Sequence, residues 1–264
     1  MFADLSARDI HECHQIAGRC RDLGADVDAW RDRLLADLRA AVGAQVIISS
    51  EIDSFGADAA SEGQTRYLGI HRAGWISDQA ERRWREYAQT IPVERTPEYP
   101  YLSKFSGKTL VLSRDEIWGR ESWYRSQTFN DIHRECGIDD YIISICPTSI
   151  ARRCTTLWLH KGVGARDFTS RERAIVSLVH MTINAEIGSF LAAADEPRLA
   201  GLTDRRLEVL GRLLMGDSEK QIAYHFDVAR ATIHDHVLAI YRHFGVSSRG
   251  ELLARFIGRA RPKQ

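Results

Sequence analysis

The chain has 264 residues, 44% hydrophobic and 27% charged, which supplies a core and excludes wholesale disorder, collagen-like repeats and coiled-coil composition. Lys plus Arg and Asp plus Glu number 36 each, so the formal net charge is zero; yet residues 199–264 hold 11 basic and 7 acidic side chains, a net of +4, which leaves −4 upstream. The C-terminal segment is therefore the candidate polyanion binder.

The length suits one domain with a smaller module appended. Apolar runs are only a few residues long, Val46-Ile47-Ile48 being typical, and the first residues carry charge where a signal peptide would be apolar. These features predict a cytoplasmic protein that does not engage membranes. Five cysteines, Cys13, Cys20, Cys136, Cys146 and Cys154, include no C-x-x-C pair, so reduced thiols are expected rather than a disulfide framework or a zinc knuckle.

Along the chain, Trp30, Leu34, Leu35, Leu38 and Val42 recur at helical spacing and Gly43 closes that helix. Gln45 to Ile52 is β-branched and reads as a buried strand, with Arg66 to Ile70 as its partner. Ser77 to Gln89 reads as a helix, and the Pro- and Tyr-rich stretch from Pro92 to Tyr101 reads as loop. Leu110 to Leu112 is a short strand. A helix is predicted over Glu121 to Cys136, ended by Gly137, followed by an antiparallel pair, Tyr141 to Cys146 and Thr155 to His160. Thr169-x-x-Glu172 is a capping box opening a helix that should run to about Leu191, with Ile175, Leu178, Thr182 and Ile183 able to serve both core and a partner helix. The small residues, proline and glycine at 193–201 mark a linker between a domain at 1–192 and a module at 202–264.

This alternation predicts an α+β fold, an antiparallel sheet with flanking helices. The element order, with TLVLSRDEIWGRESWYRSQTFNDIHRECGIDDYIIS and LHKGVGARDFTSRERAIVSLVH, resembles GAF-type sensory domains that precede bacterial LuxR-type DNA-binding modules.

In the last segment four short helices can be read. Thr203 caps the first, which carries Leu207, Leu210, Leu213 and Leu214 and ends at Gly216. Ser218 with Gln221 caps the second, with Ile222, Ala223 and Phe226 inward. The third runs from about Arg230 to Phe244 with Ile233, Val237, Ile240, Tyr241 and Phe244 at helical spacing, and Ser248-x-x-Glu251 caps the fourth, which carries Leu252, Leu253, Phe256 and Ile257. A short helix, a tight turn and a longer helix are a helix-turn-helix, whose second helix can enter a major groove. The face left over presents Arg230, Ala231, His234, Asp235, Leu238 and Arg242, with Thr232 and His236 at its edges, while Ser218, Lys220 and Gln221 open the second helix. Lys220, Arg230 and Arg242 suit phosphates; Thr232 and His234 sit nearer base edges.

This segment closely resembles the LuxR/GerE-type helix-turn-helix family. The family's L-T-x-R is Leu202-Thr203-Asp204-Arg205, its E-V-L is Glu208-Val209-Leu210, and its G-x-S-x-K-x-I-A is Gly216 to Ala223. Its T-V-x-x-H stands as Thr232-Ile233-His234-Asp235-His236, and its G-V-x-S-R as Gly245 to Arg249. Departures are Arg206 for the usual acidic residue, Ala229 for the serine capping the recognition helix, and His234 for a usual lysine. The resemblance implies a bacterial transcription regulator that binds double-stranded DNA as a homodimer, responds to a small-molecule effector, and contacts RNA polymerase if it is an activator.

Other signals have blander readings. Ser106-Gly107-Lys108-Thr109 echoes a P-loop but Leu102 stands where glycine is required. Metal binding at His11, Cys13, His14 and Cys20, or at His234, His236 and His243, ranks below helix packing and DNA binding, so no metal or cofactor is expected. Trp84, Trp118, Trp123, Tyr124, Tyr141 and Trp158 are candidates for a ligand pocket, against ordinary core aromatics. No catalytic spacing appears, so an enzyme is not expected. Two alternatives stand. An acyl-homoserine-lactone receptor would match Trp84 and Tyr87 but lacks the Asp-Pro those receptors share, and a small-molecule-binding or enzymatic domain would use its tail for protein contacts.

Overall fold

The computed structural model describes residues 2–53, 66–91, 96–102, 108–150, 153–194 and 201–257. The chain divides into two compact units, Met1–Ala194 and Asp195–Gln264. Most of the expected linker, and residues 103–107 of the P-loop echo, lie outside the described residues. Among the described residues no helix is long and apolar enough to cross a membrane.

The first unit is a three-layer α+β structure. Helices α1 (Ala7–Arg21) and α2 (Val27–Val42) precede β1 (Val46–Asp53) and β2 (Arg66–Ala73). Then come α3 (Asp78–Thr90), β3 (Leu110–Ser113), β4 (Ile138–Pro147), β5 (Arg153–Gly162) and α4 (Ser170–Asn184). The strands form one antiparallel sheet in the order β2-β1-β5-β4-β3.

Period-two alternation splits the strands between two cores. Ile47, Ile142, Leu157 and Leu159 face α1, α2 and α4, where they meet Ile16, Trp30, Leu34, Leu35, Leu38, Ile175, Val176 and Val179. Val46, Ile48, Ile52, Tyr141, Ile143 and Ile145 face the opposite side, towards α3 and the aromatic residues. Local chemistry fixes the helix ends. Ser6 and Asp9 form a capping box on α1, Asp26 accepts from the Asp28 and Ala29 amides at the start of α2, and Gly43 closes α2 at φ 58°. Ser77 caps α3, and Thr169 with Glu172 forms the capping box of α4.

Three expectations need correction. The helix from Thr169 stops at Asn184, because that residue turns its side chain into the sheet, donating to the Cys146 carbonyl and accepting from Thr155 Oγ1, and Gly188 follows at φ 85°. Phe190, beyond the stop, is 68% exposed. The predicted helix Glu121 to Cys136 is two pieces, Arg120–Arg125 and a π-helical turn Thr128–His133. Ser126 separates them: its backbone is extended, its Oγ donates to the Trp123 carbonyl and accepts from the Phe129 amide. The stretch read as loop contains a helical turn, Tyr99–Leu102; residues 92–95 are outside the described set.

The second unit is four helices, α5 (Asp204–Leu214), α6 (Glu219–Phe226), α7 (Arg230–Phe244) and α8 (Arg249–Ile257). Val209, Leu210, Leu213, Ile222, Ala223, Ile233, Val237, Ile240, Phe244 and Leu252 form its core. The fourth-helix capping box differs from expectation: Ser248 Oγ accepts from the Glu251 amide, but the Glu251 carboxylate accepts from Ser247 rather than Ser248. Thr203, expected to cap α5, stands at its N-cap position but its side chain makes no capping hydrogen bond.

Candidate nucleic-acid interface and sensor core

The α6–turn–α7 geometry follows from its residues. Ser218 Oγ accepts from the Gln221 amide while the Gln221 side chain accepts from Ser218, which closes the start of α6. Helix α6 ends at Asp227, held at φ 52°, and the turn Asp227-Val228-Ala229 leads into α7. Among the described residues Asp227 is the one non-glycine residue at positive φ. Short polar side chains pay least for that conformation.

With Ile233, Val237, Ile240 and Phe244 buried, α7 exposes Arg230, Ala231, Thr232, His234, Asp235 and Arg242, with His236 half-buried. Ser218, Lys220 and Gln221 are exposed at the start of α6. The structure thus gathers all ten candidate residues on α6, its cap and α7. Arg242 Nε also donates to the Leu238 carbonyl at 3.4 Å.

Two motif arginines have other work. Arg205 stacks over the Phe226 ring at 3.8 Å and pairs with Glu208, and Arg249 donates to the Leu213 carbonyl at the end of α5. These contacts tie α5 to α6 and α8 to α5.

The linear reading missed two residues of this surface. Glu219, the first residue of α6, places its carboxylate 3.2 Å from His234 Nδ1 and 3.7 Å from Arg230 Nε. Tyr224 on α6 is 90% exposed. Only their spacing to α7 residues across a turn could have signalled Glu219, and a turn's geometry is hard to read from sequence.

In the first unit the predicted pocket aromatics share one face of the sheet. Trp123 and Tyr141 are fully buried, Trp84 is 9% exposed, and Trp118 and Trp158 are half-buried. Trp123 lies 5.5 Å from Trp118 and from Tyr141, and Tyr141 lies 6.0 Å from Trp158. Tyr124 is at the margin, 36% exposed, donating to Asp139. The sequence reading omitted two buried histidines of this cluster. His133, on the π-helical turn, lies 4.7 Å from Trp123 and 5.5 Å from His160, and both pack edge-on to Trp84. Burial holds both imidazoles neutral, His160 pushed down to about 3. Glu98 accepts from Tyr141 Oη, and its burial raises its carboxyl above the usual range.

The opposite face carries buried charge. Glu51 bonds Arg31 and Arg153, and Lys161 Nζ reaches Glu172 and the carbonyls of Val42 and Gly43. Cys13 and Cys20 are buried on α1, where burial raises their thiols to about 11 and 12; among the described residues no cluster of three His, Cys, Asp or Glu side chains could hold a metal ion.

Residues 200–256 match the bacterial regulatory proteins of the luxR family, GerE. The glycerol metabolism activator of Pseudomonas putida is 47% identical over 51 residues, which are 19% of this chain and 23% of that protein, so the match spans under a quarter of the relative. Similarity to solved structures over longer spans is low. SdiA of Escherichia coli is 13% identical with TM-score 0.38, covering 89% of this chain and 98% of that one. The N-acylhomoserine lactone-dependent LuxR-family factor CepR2 of Burkholderia cenocepacia is 12% identical with TM-score 0.42, covering 74% and 99%. The helix-turn-helix geometry and the family match agree on the same residues: the chain carries a LuxR-family regulatory domain at 200–256.

Proposed function

We propose that this protein is a bacterial transcription regulator in which the LuxR-family domain binds double-stranded DNA and the α+β unit senses a small molecule in the cytoplasm. The observation that carries the reading is the exposed polar face of α7 beside the capped start of α6, within a domain matched over its whole helix-turn-helix. Lys220, Arg230 and Arg242 are assigned to phosphates, Thr232 and His234 to base edges, and Ser218 and Gln221 to holding α6 against the backbone. Two copies on paired half-sites would supply the affinity one small module lacks, so a homodimer is part of the proposal, as is a contact with RNA polymerase if the output is activation.

Of the α4 stripe, Ile175 and Ile183 are buried in the first unit's own core while Leu178 and Thr182 are half-buried, so a partner helix would pack on Leu178 and Thr182. The sensor is assigned to the aromatic face with Trp84, Trp118, Trp123, Tyr141 and Trp158 as walls and His133 and His160 as neutral polar anchors, Tyr124 standing at its margin.

The test is equilibrium binding of the full chain to duplex DNA across a salt series. Binding should weaken steeply with salt, and Lys220→Ala should lower the slope by about one unit for every sequence tried. A salt-independent or absent interaction would overturn the assignment.

A further inference from the structure

We propose that Glu219 is a specificity-determining residue of the DNA-binding face, one that sets how His234 meets a base. This rests on the DNA-binding reading above. An acidic side chain at the start of α6 favours the helix dipole but repels the phosphate that a helix start would otherwise attract. Its cost to DNA binding is uniform over sequences. Its benefit is local: the carboxylate can only accept, so the nitrogen it faces, His234 Nδ1 at 3.2 Å, must carry the hydrogen. In the neutral ring that leaves Nε2 as an acceptor. An acceptor in the major groove matches the amino group of adenine N6 or cytosine N4, and mismatches guanine O6 and N7. The same carboxylate lies 3.7 Å from Arg230 Nε, which ties the cation assigned to phosphate to the residue assigned to base reading.

Selection from a randomised duplex library, run with the full chain, tests this alongside affinity for a non-specific duplex. Wild type should enrich sites with an adenine or cytosine at one position in each half-site. His234→Ala should lose that preference alone, and Glu219→Gln should weaken it while tightening non-specific binding by about threefold or more as a negative charge leaves the phosphates. Thermal melting of His234→Ala should match wild type, since that side chain is at the surface, and Glu219→Gln, which takes a half-buried charge from the start of α6, should melt only slightly lower. A Glu219→Gln library identical to wild type, or a guanine preference that depends on His234, overturns the inference with DNA binding intact. No salt-dependent binding by wild type would instead sink the reading beneath it.

A second, independent observation concerns the end of the first unit. The chain leaving α4 is pinned at three points: the Ala192 amide donates to the Gly24 carbonyl at 2.7 Å, Trp30 Nε1 donates to the Ala192 carbonyl at 3.0 Å, and the Ala194 amide donates to Glu51 Oε2 at 3.0 Å. Glu51 is fully buried in β1, beside the register shift between Glu51 and Ile52, and also binds Arg31 of α2 and Arg153 of β5. One carboxylate thus joins helix, sheet and exit segment. A buried ion network of this kind is costly compared with apolar packing that replaces all of its members together. We infer that it is a latch through which a rearrangement of the sheet releases the segment that leads to the LuxR-family domain.

Hydrogen exchange on the full chain reads the latch directly. Glu51→Gln and, separately, Gly24→Ala should raise exchange at Ala192 to Ala194 about tenfold or more while the β4–β5 amides stay protected, and both should change duplex affinity. Gly24→Ala leaves the charges alone and acts by sterics, since its Cβ would fall 2.1 Å from the Phe190 carbonyl oxygen. Unchanged exchange at Ala192 to Ala194 in Gly24→Ala, or released amides with duplex affinity unaltered, would overturn it. A wild type that binds no duplex fails the functional reading, whereas the exchange pattern still judges the latch.

Discussion

The two units solve the same packing problem with different materials. Among the described residues, every buried polar or charged side chain lies in the first unit, from Asp9 to Glu186; the core of the second is apolar throughout. A small helical module gains its stability from a stripe of aliphatic residues per helix and keeps its polar groups for the outside, where a polyanion can meet them. The first unit instead buries Arg31, Glu51, Lys161, Glu172, His133, His160 and His180 against its sheet. Such groups make packing conditional on charge and on proton binding, which suits the sensory role proposed for this unit.

The largest test of that contrast is to break the buried charge. Glu51→Leu leaves Arg31 and Arg153 without their carboxylate and should cost the first unit about 3–5 kcal/mol. Urea unfolding followed by tryptophan fluorescence reads that unit alone, since all six tryptophans precede residue 199. Far-ultraviolet circular dichroism should show the helical module unfolding at its wild-type urea concentration. A shift of less than about 1 kcal/mol would show that the network is not what holds the sheet to α2.

Acid should separate the units next. His160 and His180, both buried, are pushed down from 6.5 to about 3, His180 held by Ser144 and Thr155. Their unfolded-state rings take up protons near pH 6.5 while the folded rings do not, so the stability they contribute is present above that pH and is lost as pH falls towards 3. Each contributes a slope of up to about 1.4 kcal/mol per pH unit in that window. Glu172 adds a second loss: its carboxyl is held down at about 2 by Arg166, the Thr169 amide and Lys161, so its contribution disappears between 4.5 and 2. Unfolding of the first unit should therefore grow easier from pH 6.5 downward, and His160→Phe should flatten the upper part of that curve. A first unit whose unfolding free energy is flat from pH 7 to 5 would contradict the burial of these rings.

The difference in materials also explains what was legible. Leu210, Leu213, Ile222, Ile233, Val237, Ile240 and Phe244 recur at helical spacing because nothing but periodicity builds that core, so the module's elements and its exposed face could be read in line. In the first unit, Leu34, Leu38, Ile47 and Leu157 gave the α2 and sheet elements for the same reason. What stayed hidden depended on side chains meeting across long sequence distances. Asn184 ends α4 by reaching Cys146 and Thr155, Ser126 breaks a helix that periodicity continues, and His133 and His160 become one cluster only once β5 and the π-helical turn oppose each other. Charge carries no periodicity. Glu51 and Arg31 look like surface residues in any linear reading, and Glu219 looks like an ordinary first-turn acid until α7 folds beside it.

The smallest effect concerns the second unit, where the contrast predicts that surface capping rather than buried charge is open to improvement. Helix α7 begins at Ala229, whose methyl group cannot accept from the free amides of the first turn, while Ser218 does so for α6. Ala229 is exposed and its backbone is already extended, at φ −62° and ψ 143°, the conformation a capping serine adopts. Ala229→Ser therefore asks for no backbone change and should stabilise the module by about 1 kcal/mol. The gain should be seen in the module's thermal transition, with the first unit's unfolding unaltered. Its consequence for DNA is separable from its consequence for stability: a better-ordered start of α7 fixes Arg230 and His234, so affinity for selected sites should rise more than affinity for non-specific duplex. An equal rise on both would mean that the cap strengthens phosphate contacts alone, and a fall would mean that the recognition helix must keep a loose first turn to fit its groove.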